Sequence, residues 1–263
     1  MVLLADCLAE PRVEGGDARE ILYQIPTHVH VCVTGDGSVF LDLKRDKYFG
    51  LDREGTQFLA TAVRNWPRPS RTRRPDDESL SQGADRVCRS MVERGLLVRD
   101  EAPALKPRAE VGIHVDMRAP FVSVGDELEV RADIRSRHVA RFAAAYAWAT
   151  YSLRRRRLDL TVEAVRSRKE RRLRAGARWD LHRIAELIDI FRRLRPYVFA
   201  AEGRCLLHAL TLTEFLSSHD VYPEWVIGVA TQPWEAHSWA QWGNFLLDTN
   251  PEKVCRYTPI LVV

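Results

Sequence analysis

Short runs of residues near the amino terminus predict three strands. Apolar and polar side chains alternate from His28 to Thr34, and two further runs cover Val39 to Leu43 and Lys47 to Leu51. Such runs are typical of half-buried strands. The turn residues Gly35 to Ser38 separate the first two and favour a hairpin. The pattern therefore predicts a small three-stranded antiparallel sheet.

Two helices are predicted after this sheet. Asp52 is a candidate N-cap for a helix from Arg53 to about Asn65. A loop rich in Pro, Arg and Asp then leads to a second helix, from about Leu80 to Arg94. Gly95 follows it directly and fits a carboxyl-terminal cap. Three strands and two helices make a small module.

The carboxyl-terminal part of the chain has its own helix and strands. Apolar residues at helical spacing predict a helix from Cys205 to about Ser218, which the chain enters through Gly203. Three strands are predicted after it, over Glu224 to Val229, His237 to Trp242 and Phe245 to Thr249.

The last two of these strands are joined by Gly243 and Asn244, which favours a two-residue hairpin turn. The turn fixes a register of four cross-strand pairs, which are Trp242 with Phe245, Gln241 with Leu246, Ala240 with Leu247 and Trp239 with Asp248. Because side chains alternate along a strand, His237 and Asp248 are expected on one face. They would be diagonal neighbours, roughly 6–8 Å apart at the backbone, close enough for a hydrogen bond.

A thiol, an imidazole and a carboxylate in this order are the parts of a nucleophilic triad. Cys205 lies in the first turn of its helix, where free N–H groups and the helix dipole favour a thiolate. The alternatives are a small core cysteine and a surface pair of His237 and Asp248. A zinc site of these three residues with His208 is a formal alternative, although structural zinc usually has more thiolates and closer spacing.

The middle of the chain is helical and basic. Helices are predicted from about Ile134 to Leu153 and from about Arg178 to Leu194. Residues 105–195 carry 22 Lys and Arg against 12 Asp and Glu, whereas residues 1–104 carry 15 against 17. An acidic or nucleotide-bearing partner would explain this surplus. A solvated helical face or a surface for a partner protein would explain it equally simply, and we favour this second interpretation.

Composition limits the class of protein. The 263 residues suit two small domains or one large one, and 46% are hydrophobic. The five cysteines form no C-x-x-C pair, which argues against a disulfide framework and for a reducing, cytoplasmic setting. The amino terminus has no basic residues before its short apolar stretch, and no apolar run of about 18 residues occurs. Neither a secretory signal nor a membrane partner is therefore expected.

Four segments resemble the lasso-peptide leader peptidases, or lasso B proteins, which have a transglutaminase-like cysteine-protease fold. They are Gly203 to Leu206, Pro223 to Val229, Ala236 to Trp239, and Asp248. The likeness is strong over about residues 195–263 and weaker over 130–195. It implies that Cys205 is the nucleophile, His237 the general base and acid, and Asp248 the orienting residue. Backbone amides, including that of Cys205, would bind the oxyanion.

The amino-terminal strands and helices resemble the winged-helix-like module that recognises leader peptides. The peptide chaperone of pyrroloquinoline quinone biosynthesis is of this kind. The resemblance implies that an extended leader pairs with the edge of the third strand and that the second helix forms the far wall. The residues implied are Lys47, Tyr48, Phe49, Leu51, Leu80, Val87 and Met91. For Leu80, Val87 and Met91 we favour the alternative that they form the core of the module.

These resemblances divide the chain into four parts and give it an α+β fold. Residues 1–24 are an extension, 25–102 the leader-recognition module, 103–130 a linker, and 131–263 a papain-like (transglutaminase-like) protease domain. The implied enzyme is a cysteine endopeptidase of antibiotic biosynthesis. It removes the leader from a ribosomally made lasso precursor, and an ATP-dependent macrolactam synthetase then closes the ring. No metal or organic cofactor is required.

Two other functions use the same residues differently. The triad also fits a transglutaminase or an acetyltransferase, and the product would distinguish these from a peptidase. A regulator whose module reads DNA is the third hypothesis. The second helix carries few basic residues besides Arg86, Arg89 and Arg94, so no nucleic-acid partner is expected.

Overall fold

The computed structural model describes residues 23–64, 66–67, 79–99, 121–124, 130–174, 180–199 and 204–263. Its architecture is α+β, as predicted, with a three-stranded antiparallel sheet in the amino-terminal part and a five-stranded sheet in the carboxyl-terminal part. None of the helices in these ranges is both long and apolar enough to cross a membrane.

The amino-terminal sheet follows the predicted pattern closely. It has the order β2-β3-β4, and its strands are β2 (Val29–Thr34), β3 (Gly37–Asp42) and β4 (Lys47–Asp52). Both pairings are antiparallel. A smaller sheet has the order β5-β1-β6, with β1 (Tyr23–Gln24), β5 (Val63–Arg64) and β6 (Val98–Arg99). Tyr23 and Gln24 thus take part in the fold, although we had placed them in an extension.

Both amino-terminal helices form, and the predicted capping residues lie at the start of α1 and at the end of α2. Helix α1 covers Arg53–Ala62, and the Asp52 side chain accepts a hydrogen bond from the Gly55 amide at 2.8 Å. Helix α2 covers Ser79–Glu93. Gly95 follows it with φ of +71°, and its amide donates to the Val92 carbonyl at 2.8 Å. Glycine tolerates this left-handed conformation, so the chain turns back here.

Three helices fill the middle of the chain, one more than predicted. They are α3 (Ser136–Arg155), α4 (Leu158–Arg174) and α5 (Leu181–Leu194), and a short 3-10 turn follows at Arg195–Tyr197. No separate helix is predicted from the sequence at the position of α4, where the pattern shows only the basic surplus. Its apolar side is narrow, with Leu158, Val162 and Val165 buried at helical spacing. The many arginines conceal that stripe in the sequence.

The carboxyl-terminal domain packs one helix on a five-stranded sheet. Helix α6 covers Cys205–Ser217 and packs against α3 and strand β9. The sheet has the order β11-β8-β9-β10-β7. Its strands are β7 (Val122–Ser123), β8 (Glu224–Thr231), β9 (Trp234–Trp242), β10 (Phe245–Leu247) and β11 (Thr258–Val262), and a short helix α7 (Pro251–Val254) precedes β11. Strand β7 lies in the segment that we had expected to be a linker.

The two parts of the chain share a hydrophobic core. One cluster contains Cys32, Val39 and Leu41 from the amino-terminal sheet together with Trp225 and Ile227 from β8. The other face of the amino-terminal sheet packs on α1 and α2 through a separate cluster. The three-stranded sheet is therefore covered on both faces, by its own helices and by the carboxyl-terminal domain.

Candidate active site

Cys205 is the first residue of α6, as predicted. Its side chain is neither fully buried nor fully exposed. The amides of a first helical turn have no partner within the helix, and together with the dipole they favour a negative charge. The described cysteines are all free thiols, and Cys205 combines a helix start with partial access. This position is suited to a nucleophilic thiolate.

His237 lies on β9 and is enclosed by aromatic rings. Its ring centroid is 5.2 Å from that of Tyr257 and 6.0 Å from that of Trp239. The Tyr257 hydroxyl donates to Glu235 at 2.7 Å, which holds the tyrosine ring in place. Opposite His237 in the sheet is Gly228, where a side chain would collide with the Trp239 ring. The imidazole is thus fixed from several sides.

Burial governs the protonation of His237. Desolvation, helped by the positive charge of Lys253, lowers the pKa of His237 to about 4. The imidazole is therefore neutral at pH 7 and able to accept a proton. Its Nε2 atom is buried and has no hydrogen-bond partner within the described part of the chain. A neutral ring with an open nitrogen is the resting form that a general base requires.

The Asp248 side chain is held by cations. Its Oδ1 accepts from Arg192 Nε at 2.8 Å, and its Oδ2 accepts from Arg195 at 2.7 Å. His208 Nε2 lies 3.1 Å from Oδ2. Burial opposes ionisation of this carboxyl, but the contacts with His208, Arg195 and Arg192 outweigh it and hold the pKa of Asp248 below its usual value. Asp248 is therefore a carboxylate at neutral pH.

The expected hydrogen bond between Asp248 and His237 does not form, and this corrects the strand argument. The hairpin register is as predicted from Trp242 with Phe245 to Ala240 with Leu247. Strand β10 ends at Leu247, and Asp248 has φ of +64°. This left-handed conformation breaks the alternation of side chains. The carboxylate therefore meets α5, α6 and the 3-10 turn and does not reach the imidazole of His237.

Cys205 and His237 have Tyr257 as a common neighbour. Burial, the hydrogen bond to Glu235 and the charges of Glu235 and Cys205 raise the pKa of Tyr257 to about 12. The Tyr257 ring also contacts His237. Likewise His208, which lies on α6 three residues after Cys205, is close enough to lower the pKa of His237. No hydrogen bond joins Cys205 to His237 among the described residues, and α6 packs against β9, the strand that carries His237.

Sequence analysis missed the residues that hold Asp248. Arg192 and Arg195 looked like members of a general basic surplus, and His208 was considered only as a zinc ligand. The three-residue spacing of Cys205 and His208 could have indicated a role for His208 near the site, because it places both side chains on one side of α6. Among the described residues, no group of three or more His, Cys, Asp and Glu side chains could hold a metal ion. The zinc alternative therefore has no geometric support there.

The proposed leader-binding residues fall into different surroundings. Lys47 is exposed, whereas Phe49 and Leu51 are partly buried against the amino-terminal core. Met91 belongs to that core and Val87 packs against it, which favours the packing alternative for both. The side chain of Leu80 lies outside the described residues. Tyr48 points to the other face and packs against the shared core.

Residues 138–262 match the family model of the transglutaminase-like superfamily. The carboxyl-terminal half of the chain is thus a transglutaminase-like domain. Enzymes with this fold are typically cysteine peptidases or acyltransferases. No curated protein and no solved structure gave a significant match to the chain.

Proposed function

We propose that the protein is a cysteine endopeptidase that cleaves the leader from a lasso precursor peptide. The observation that carries this proposal is the position of Cys205 in a transglutaminase-like domain. The thiol lies at the start of α6, and this helix packs against β9, the strand that carries the buried His237. The amino-terminal sheet packed on the same domain supports a substrate that has a separate recognition segment.

The chemistry follows from these residues. His237 takes the proton of the Cys205 thiol, and the sulfur attacks the carbonyl carbon of the scissile bond. Backbone amides at the start of α6 stabilise the oxyanion. His237 then gives its proton to the leaving amine, which departs as the core peptide. Water, deprotonated by His237, hydrolyses the thioester and frees the leader. Catalytic hydrogen bonds often tighten only when substrate binds, so the absence of a Cys205–His237 hydrogen bond is compatible with a resting enzyme.

Asp248 takes a positioning role in this proposal. Its contacts with Arg192, Arg195 and His208 join the end of β10 to α5 and to the nucleophile helix. A carboxylate fixed in this way keeps the start of α6 at a defined distance from the sheet that carries His237. Asp248 thus acts on Cys205 through the helix, in place of the direct contact with His237 that the triad model predicts.

Leader recognition is assigned to the edge of the amino-terminal sheet. Strand β4 is the last strand in the order β2-β3-β4, so one side of its backbone is available to an added strand. Holding the leader there raises the local concentration of the scissile bond at Cys205. The released core would pass to an ATP-dependent macrolactam synthetase, and we place both steps in the cytoplasm.

A second candidate is acyl transfer to an amine. The transglutaminase-like superfamily supports it, because this fold typically serves peptidases and acyltransferases alike. The two functions share the thioester and differ only in the nucleophile that resolves it. Mass spectrometry in water enriched in ¹⁸O distinguishes them. A peptidase gives a leader with a labelled carboxylate, whereas a transferase gives an unlabelled amide, isopeptide or acetyl adduct.

The proposal is tested with synthetic peptides encoded by the short reading frames that flank the gene for this chain. We expect the wild type to release a leader and a core. Cys205→Ala should abolish the release, and Cys255→Ala should not affect it, because Cys255 is exposed and its thiol contacts only the Glu252 carbonyl at 3.2 Å. Cleavage that survives in Cys205→Ala would refute the proposal.

A further inference from the structure

Strand β4 presents Tyr48 towards the transglutaminase-like domain. Along β4, Phe49 and Leu51 pack on the core formed with α1 and α2. Tyr48 has the opposite orientation and packs against the shared core, to which Leu206 also contributes. Leu206 is the residue after Cys205. The strand that we assign to leader recognition therefore places one aromatic side chain on the same core that supports the nucleophile helix.

The side chain of Trp234, from the carboxyl-terminal domain, contacts the Tyr48 ring. Trp234 is the first residue of β9, three positions before His237. The two ring centroids are 5.6 Å apart, and the planes form an edge-to-face pair at 69°. Trp234 is nevertheless 51% exposed. A large aromatic side chain that is half open to solvent has area left to bind an apolar group.

Electrostatics place Cys205 within reach of this pair. Burial, together with the charges of Asp46 and Cys205, raises the pKa of Tyr48 to about 12. Tyr48 from the amino-terminal sheet is thus in contact with Trp234, which lies on the same strand as His237.

The direction of β4 determines which residues of a bound peptide would lie next to Tyr48 and Trp234. The strand runs from Lys47 to Asp52, and Tyr48 lies at its beginning. A peptide strand that pairs antiparallel with β4 has its carboxyl-terminal end beside Tyr48. Cleavage requires that the chain leaving that end continues towards Cys205. The residues that cross Tyr48 and Trp234 then belong to the leader, on the acyl side of the bond that is cut.

We propose that Tyr48 and Trp234 form an aromatic wall that binds an apolar leader side chain next to the scissile bond. This specificity site rests on the proposed peptidase function. The amino-terminal sheet is then part of the active site. A leader that is bound to β4 is cut only when the leader residues that follow the bound segment contact Tyr48 and Trp234. Leader binding then depends on the backbone edge of β4, whereas cleavage also depends on the side chains of Tyr48 and Trp234.

Two alkylating probes test the wall without any precursor. The Cys205 thiolate displaces iodide from iodoacetamide and from N-benzyl iodoacetamide, and each reaction forms a thioether. Peptide mapping measures both rates at Cys205, with exposed Cys255 as the internal reference. An aromatic contact favours the benzyl probe at Cys205 by roughly fivefold over the ratio at Cys255.

Variants show whether this preference comes from the wall. Tyr48→Ala and Trp234→Ala should each remove it, while Tyr48→Phe should keep it. Tyr151→Ala is the matched control, because Tyr151 is 60% exposed on α3. Thermal unfolding checks that each variant is folded, and Trp234→Ala tests the wall at a half-exposed position. Equal probe ratios in the wild type and in both alanine variants would overturn the proposal.

Peptide kinetics separate failure of the wall from failure of the peptidase function. With the flanking-frame peptides, Tyr48→Ala and Trp234→Ala should lower kcat/KM by about tenfold. The Kd of the isolated leader should change less than about twofold. If the wild type cleaves through Cys205 and both variants cleave equally fast, the wall is wrong and the function stands. If the wild type does not cleave through Cys205, the function is wrong.

Discussion

Replacing Asp248 with Asn tests the contact that sequence reasoning misplaced. The substitution keeps the shape of the side chain and removes the charge that pairs with Arg192, Arg195 and His208. The Asp248 side chain is 3% exposed, so its charge has little access to water. We therefore expect the variant to fold with a lower free energy of unfolding.

The solvent exposure of Arg192 and Arg195 determines how much the free energy of unfolding falls in Asp248→Asn. Breaking a fully buried pair typically costs about 3–5 kcal/mol, because the remaining charge stays desolvated. Arg192 and Arg195 are 34% and 42% exposed, so each recovers hydration when the carboxylate is lost. We expect a loss of about 2 kcal/mol, below the range for a fully buried pair.

Urea unfolding at pH 7 measures this loss by linear extrapolation. Glu186→Gln is the control, since it breaks an i,i+3 pair with Arg183 in which both side chains are about one-third or more exposed. That control should cost about 0.5 kcal/mol or less. A loss for Asp248→Asn as small as that of the control would refute the role that we assign to the cations.

The pH dependence of the same experiment has a definite sign. The pKa of Asp248 is lowered in the folded protein, so its stabilising effect is complete above the unfolded pKa of about 3.9. The effect is lost as the pH falls through the still lower folded pKa. The difference between wild type and Asp248→Asn should therefore be largest near neutrality and should narrow below about pH 4.

A double-mutant cycle identifies the histidine that Asp248 contacts. Asp248→Asn combined with His208→Asn should show a coupling of about 1 kcal/mol, because the two side chains are in contact. Combined with His237→Asn, it should be additive to within about 0.5 kcal/mol. Strong coupling to His237 and none to His208 would restore the triad geometry that the alternation of β10 predicts.

Three further predictions concern buried groups. The pKa of His237 should be about 4 by NMR titration, and a pKa near 6.5 would contradict the burial argument. Because this pKa is lowered in the folded state, the contribution of His237 to stability is complete above the unfolded pKa. That contribution is lost as the pH falls through about 4. Gly228→Ala should lower the free energy of unfolding in urea by about 1–3 kcal/mol, because the added Cβ would lie 2.7 Å from the Trp239 ring; an unchanged value would show that the ring moves freely. Lys169→Met should cost about 3–5 kcal/mol in the same assay, since Glu224, 3.6 Å from the ammonium, would remain buried without its cation. A neutral effect would contradict the importance of this buried ion pair.

The local parts of the fold could be predicted, because local residues determine them. Asp52 caps α1, Gly95 ends α2, and the turn at Gly243 sets the register of the last hairpin. Asp248 lies one residue beyond that hairpin, where its contacts with α5 and α6 decide the backbone conformation. No periodic pattern contains that information.

Long-range packing explains the other differences. The amino-terminal sheet has two apolar faces, and the sequence does not say that β8 of the other domain covers one of them. Strand β11 was missed because Pro259 interrupts its short run, although the strand pairs with β8. Tyr48 and Trp234 are 186 positions apart, and their contact depends on the packing of the two domains.

The most direct test of the account is to trap the acyl-enzyme. Wild-type protein mixed with the flanking-frame peptides and quenched in acid should carry the leader as a thioester, and peptide mapping should place it on Cys205. His237→Asn should form it much more slowly, and Cys255→Ala should form it normally. A leader bound to another residue, or cleavage by Cys205→Ala, would contradict the account.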